Sequence, residues 1–83
     1  MYTVLWIEEA EEELAQLWLA DDSNEVARVV NQINETLEKA PLDAGESRSG
    51  NERILFLPPL AVRFLVEEAK QEVSVTSIWS IRK

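Results

Sequence analysis

The stretch from Ile54 to Val66 constrains this chain more than any other, because two apolar runs meet there at Pro58-Pro59. Proline fixes φ and lacks an N–H, so a proline pair cannot lie inside a paired strand and marks a turn instead. Beyond it, Leu60, Val62, Phe64 and Val66 alternate with Ala61, Arg63 and Leu65, the period of two expected of a strand. Before it, Ile54-Leu55-Phe56-Leu57 is apolar on both faces. The two runs therefore form a hairpin. Glu67 to Gln71 makes the next turn, and Glu72 to Ile81 supplies a third strand carrying Val73, Val75, Ile78 and Trp79. Alternation slips between Val75 and Ile78, which predicts a β-bulge.

The first half of the chain follows different periods. In Tyr2-Thr3-Val4-Leu5-Trp6-Ile7, Tyr2, Val4 and Trp6 share a face at period two, so this is a strand that joins an edge of the sheet. From Glu8 the spacing becomes helical. Ala10, Leu14, Leu17 and Trp18 stack one above another, while Glu8, Glu9, Glu11, Glu12 and Glu13 fill the rest of the helix and its first turns. Asp21-Asp22-Ser23-Asn24 breaks that helix, and Asp22 with Glu25 resembles a capping box opening a second one. Its stripe is Val26, Val29, Val30, Ile33 and Leu37, and Pro41 ends it. Two amphipathic helices joined by about four polar residues form an antiparallel hairpin. Pro41 to Asn51, which holds both glycines, reads as a loop. The order β-α-α-β-β-β is that of an α+β domain with a helix hairpin packed on a twisted antiparallel sheet. With 83 residues there is room for one core, so residues 1–83 are read as a single domain, and a core so small makes a partner chain a reasonable expectation.

Several chemistries are excluded by composition. The chain has no cysteine and no histidine, so disulfides, thiolate zinc sites and imidazole bases are ruled out. No Asp/Glu spacing matches a calcium loop, and isolated carboxylates on an exposed helix hold hard cations poorly, so neither a metal nor a cofactor is expected. No apolar run approaches the ~20 residues that span a bilayer, and the N-terminus opens as a strand without a charged leader, so a cytoplasmic protein without membrane contact is expected. The net charge of -8 opposes broad binding to nucleic acid, but it is unevenly placed. Residues 1–47 carry two basic and twelve acidic residues, whereas residues 48–83 carry six basic and four acidic ones. Any anion-binding surface must draw on Arg48, Arg53, Arg63, Lys70, Arg82 and Lys83. The acidic half reads most simply as solvated helix surface. Trp6, Trp18 and Trp79 read as core and edge-packing residues, since each lies beside apolar neighbours at the right period.

This layout resembles the RelE/ParE family of toxins from type II toxin-antitoxin systems, over nearly the whole chain. The residues that carry the resemblance are Tyr2-Thr3-Val4-Leu5-Trp6 leading into Ala10-Glu11-Glu12-Glu13-Leu14, the loop Pro41-Leu42-Asp43-Ala44-Gly45-Glu46, and Arg53-Ile54-Leu55-Phe56 with Pro59-Leu60-Ala61-Val62-Arg63-Phe64-Leu65-Val66. The last stretch is similar to the family's central strand. The resemblance implies a small growth-inhibiting, plasmid-stabilising type of toxin, held inactive by a cognate antitoxin whose extended or helical segment wraps it. RelE-like members cleave messenger RNA on the ribosome and ParE-like members inhibit DNA gyrase, so the ribosome with its mRNA and gyrase are the implied targets. A second copy of the chain is a further candidate partner.

RNA cleavage of the RelE kind needs several convergent Arg or Lys groups and an acid or base. Here the family's strand arginine falls at Ala61, and its late His or Tyr falls at Ser80. Arg63, on the same face as Ala61, is the first candidate for a phosphate contact, with Arg53 and Arg82 next and Lys83 beside the latter. Each has a simpler reading: Arg63 as a polar residue on the outer sheet face, and Arg82-Lys83 as a solubilising terminus. Arg48 and Arg53 bracket a glycine-containing loop that could seat an anion. Because the catalytic positions are unmatched, gyrase-directed or other inhibition by binding is favoured over RNA cleavage. The alternative is a non-catalytic protein-interaction module, a decayed toxin. Unprotected sheet edges suit β-augmentation or helix-in-groove docking, and an acidic chain favours an antitoxin segment carrying Lys or Arg.

Overall fold

The structure is a computed structural model, and it describes residues 1–20, 23–47 and 50–81. It contains β1 (Thr3–Trp6), α1 (Glu8–Ala20), α2 (Ser23–Lys39), β2 (Glu46–Ser47), β3 (Glu52–Leu57), β4 (Leu60–Glu67), a 3₁₀ turn (Glu68–Lys70) and β5 (Glu72–Ser80). The strands form one sheet in the order β1-β5-β4-β3-β2. β3, β4 and β5 are antiparallel, as their alternation and the intervening turns require. β1 lies at an edge as expected, but it runs parallel to β5, so the sheet is mixed rather than wholly antiparallel. A parallel pair cannot be closed by a tight turn. Here everything between Trp6 and Glu72 serves as the connection. Tyr2 N–H also donates to Glu38 O (2.9 Å), tying the start of β1 to the end of α2.

One side of the sheet carries the core. Val62, Phe64, Val73 and Val75 are fully buried there, with Leu55, Val66 and Ile78 nearly so, against Ala10 of α1 and Val26, Val29, Ile33 and Leu37 of α2. The stripe expected of α2 is the buried one. α1 buries only Ala10, with Leu14 and Leu17 half-covered, which leaves Trp18 and Leu19 partly or largely exposed. Trp6 packs against the core and its Nε1–H donates to Asn34 Oδ1 (2.9 Å), which satisfies a polar atom that would otherwise be stranded beside apolar surface.

Two local features differ from the sequence reading. α2 begins at Ser23, so Ser23 and Asn24 belong to its first turn rather than to a four-residue connection. Both are residue types that favour helix starts. The proposed cap Asp22 lies outside the described residues. Glu46–Ser47, read as loop, pairs with Arg53 and Ile54 as a two-residue edge strand. The approach that permits this pairing depends on Gly45, whose φ is +71° and whose absent Cβ would collide with Ile54 O. The expected bulge is present. Arg63 pairs with Ser77 and Phe64 with Val75, which leaves Thr76 as the extra residue, its hydroxyl donating to Arg63 O (3.2 Å). The shift of phase lets Val75 and Ile78 both face the core.

β1 ends opposite Val75, and beyond its end Ile78 N–H donates to the Glu13 carboxylate of α1 (3.1 Å). One of the five clustered glutamates is thus a fastener between helix and sheet. The glycines provide a direct check of the edge geometry. Gly50 also has positive φ (+59°) but open space around its missing Cβ. Chemical denaturation should show Gly50→Ala costing about 1 kcal/mol, the backbone penalty alone, and Gly45→Ala costing more than about 2 kcal/mol because the clash adds to it.

Candidate functional site

The face of the sheet turned away from the helices is set by the same alternation that builds the core. β3 places Glu52, Ile54 and Phe56 on it, β4 places Ala61, Arg63 and Leu65, and β5 places Trp79. Phe56, Ala61 and Trp79 lie side by side across three strands. Ala61 is fully buried although it lies on this outer face, and Ile54 is 8% exposed, while Phe56 remains 44% exposed. A fully covered alanine between two large aromatic residues marks an apolar platform, not the solvated polar surface that one-sided antiparallel sheets usually present.

Arg63 occupies the middle of this face. Its Nε stands 3.8 Å from Glu52 Oε2, and its Cζ lies 5.7 Å from the centroid of the Trp79 ring. Ion pair and cation–π contact together engage the guanidinium and place a carboxylate beside it, where a phosphate would have to come. The bulge at Thr76 aims the arginine, since it falls at the Arg63/Phe64 step.

Arg53 lies elsewhere. It pairs with Phe64 across the hairpin, and so belongs to the helix-facing side of β3. Its Nε donates to Ala44 O (3.1 Å) and its Nη2 to Gly45 O (3.3 Å). The guanidinium therefore clamps the 40s loop onto the sheet, and it is turned away from Arg63. A hollow of ≈ 270 Å³ does open there, bounded by Leu42, Gly50, Asn51, Arg53, Val66 and Glu68. Because the arginine is committed to two carbonyls and Glu68 adds negative charge, this hollow is a poor anion seat. Arg48, Arg82 and Lys83 lie outside the described residues. Ser80, where a late His or Tyr was sought, shares the core-side face with Ile78, opposite to Arg63.

Every lysine and arginine among the described residues has an acidic or carbonyl neighbour: Arg28 with Glu25, Lys39 with Glu35, Arg53 with the loop, Arg63 with Glu52 and Lys70 with Glu67. Such surface pairs are worth little energetically, but they neutralise the local field. No three acidic side chains among the described residues converge as metal ligands. A second open surface, a groove of ≈ 440 Å³ between α2 and the end of β3, is lined by Gln32, Glu35, Thr36, Lys39 and Leu57. With one apolar side chain it offers little anchorage. The sequence reading found Arg63 but missed Glu52, Ile54, Phe56 and Trp79 as its companions. Only the alternation of β3 and the phase shift in β5 could have signalled them.

No family model matches the sequence, and no curated protein matches it. Solved structures do. A toxin-antitoxin complex, RelBE2 from Mycobacterium tuberculosis, superposes with a TM-score of 0.80 at 17% identity, covering 95% of this chain and 90% of that one. The isolated E. coli RelE toxin gives 0.73 at 20% identity over 100% and 87%. A chromosomal ParDE system from P. aeruginosa gives 0.69 at 19% identity over 99% and 98%. The chain therefore has the RelE/ParE-type toxin fold.

The two arginines should separate in a stability measurement. Arg53→Ala strips two carbonyls of a charged donor and should cost about 1–3 kcal/mol in denaturant unfolding, with faster amide exchange over residues 42–47. Arg63→Ala, on an exposed face, should change stability by about 1 kcal/mol or less.

Proposed function

We propose that this chain is the toxin-like member of a type II toxin-antitoxin pair, held by a cognate antitoxin, and that it acts in the cytoplasm by binding its target, not by cutting RNA. The observation that carries this reading is the state of Arg63. On the face where phosphate chemistry would need converging, unpaired cations, the central guanidinium is paired with Glu52 and in cation–π range of Trp79, and Ala61 lies beside it on the same face of the strand. Beside Arg63 the described outer face offers the Glu52 carboxylate but neither a second cation nor an imidazole, so the converging positive charge that would steady a pentacoordinate phosphate is lacking there. Inhibition by docking needs only a shaped surface, and Phe56, Ala61 and Trp79 provide one. The likeness in fold to proteins solved as RelBE and ParDE toxin-antitoxin systems supports the antitoxin as partner. Among the targets of such toxins, gyrase fits a binding mode better than messenger RNA on the ribosome.

A second reading rests on the same neutralised arginine: a non-catalytic interaction module that has lost toxicity. Induced expression of the chain alone in a bacterial host separates the two. Growth arrest, relieved by Arg63→Ala and accompanied by inhibited gyrase supercoiling with intact ribosome-bound mRNA, is the expected result. Cleaved mRNA would overturn the binding mode. Unimpaired growth with folded, soluble protein would give the interaction module.

A further inference from the structure

The outer face is graded along its strands. At one end lies the apolar row Phe56–Ala61–Trp79; next comes Ile54–Arg63–Ser77, then Glu52–Leu65–Ser74–Leu5, and at the far end Glu67–Glu72–Thr3. Glu67 and Glu72 face each other directly across β4 and β5, a like-charge pair that the isolated domain keeps at a cost. Lys70 approaches Glu67 only to 3.8 Å from an exposed position, and Glu72 is half-buried. Leu5, in the row beside Glu52, is 45% exposed. Glu67 lies six residue steps along β4 from Ala61, which at strand rise is a distance of about 20 Å.

From this gradient we propose that the outer face binds an amphipathic segment of a partner protein, seated with apolar side chains on Phe56 and Trp79 and with Lys or Arg over Glu67 and Glu72. The inference deepens the docking reading above and rests on it for the choice of face. It commits to a spacing. The apolar anchor and the basic group are about six residues apart if the segment is extended and about thirteen if it is helical, given rises of about 3.3 and 1.5 Å. Charge complementarity selects the class of partner. Nucleic acid would bring phosphates towards two opposed glutamates at one end and towards a guanidinium already shared between Glu52 and Trp79 in the middle. A basic segment instead relieves the Glu67–Glu72 repulsion, and its apolar side chains remove Phe56 and Trp79 from water. The acidic face of α1 could attract any cation non-specifically, so the test must separate the two surfaces.

The experiment uses the full chain and two synthetic peptides, each with two leucines and, six residues on, either two lysines or two glutamates. A decathymidylate and a decauridylate strand serve as nucleic-acid probes. Binding is read by fluorescence anisotropy of labelled probes at 150 mM salt. The lysine peptide should bind at least tenfold more tightly than the glutamate peptide. Glu67→Lys/Glu72→Lys should weaken it at least tenfold and reverse the preference, Phe56→Ser should weaken both peptides, and Glu9→Lys/Glu12→Lys on α1 should change binding less than twofold. Circular dichroism melts establish that each variant is folded. Equal binding of the two peptides, loss of binding through the α1 substitutions, no binding of either peptide, or tighter binding of the nucleic-acid strands would each overturn the proposal. Growth arrest relieved by Arg63→Ala, together with any of those results, would leave the toxin reading standing and remove only this partner.

Discussion

A slip of one residue between β4 and either neighbour would turn Val62 and Phe64 out to water and drive Arg63 into the core, and the register of this central strand is what the rest of the domain depends on. β4 is apolar enough on both sides that Leu60, Ala61, Val62 and Phe64 are all fully buried. Its register is pinned from two directions. The Leu57-Pro58-Pro59-Leu60 turn fixes it against β3, and the Thr76 bulge, bonded to Arg63 O, fixes it against β5. Once that phase is set, the residues that meet the helices and those that meet solvent are both determined.

The outer face follows from the same phase, and its character depends on a few side chains. Alanine, phenylalanine and tryptophan make one end of this face apolar, and the arginine at its middle is shared between a carboxylate and a ring.

Charged residues elsewhere serve as local fasteners. Glu13 holds α1 to the strand N–H that β1 is too short to reach, and Arg53 holds the 40s loop over the edge that β2 covers for only two residues. The apolar core is thin, and α1 buries a single side chain completely. Hydrogen bonds to charged groups, stronger than neutral ones, stabilise elements that burial alone would leave loose.

By itself the sequence determined the element types, the helix hairpin, the antiparallel β3–β5 meander and the bulge, because each is written in spacing: period two around Pro58-Pro59, steps of three and four from Val26 to Leu37, and a broken alternation after Val75. It also placed Arg63 on the outer face with Ala61. Tertiary structure decided what no local period encodes. The parallel docking of β1 on β5 joins residues about seventy positions apart. Glu46–Ser47 becomes strand only because Gly45 lets it approach Ile54. Arg53 and Arg63, equivalent as charges in the sequence, separate into a loop clamp and a central surface residue because ten positions and one hairpin put them on opposite faces. Pattern fixes how a segment folds; which charges share a face depends on the register between strands, and register exists only once the segments have packed.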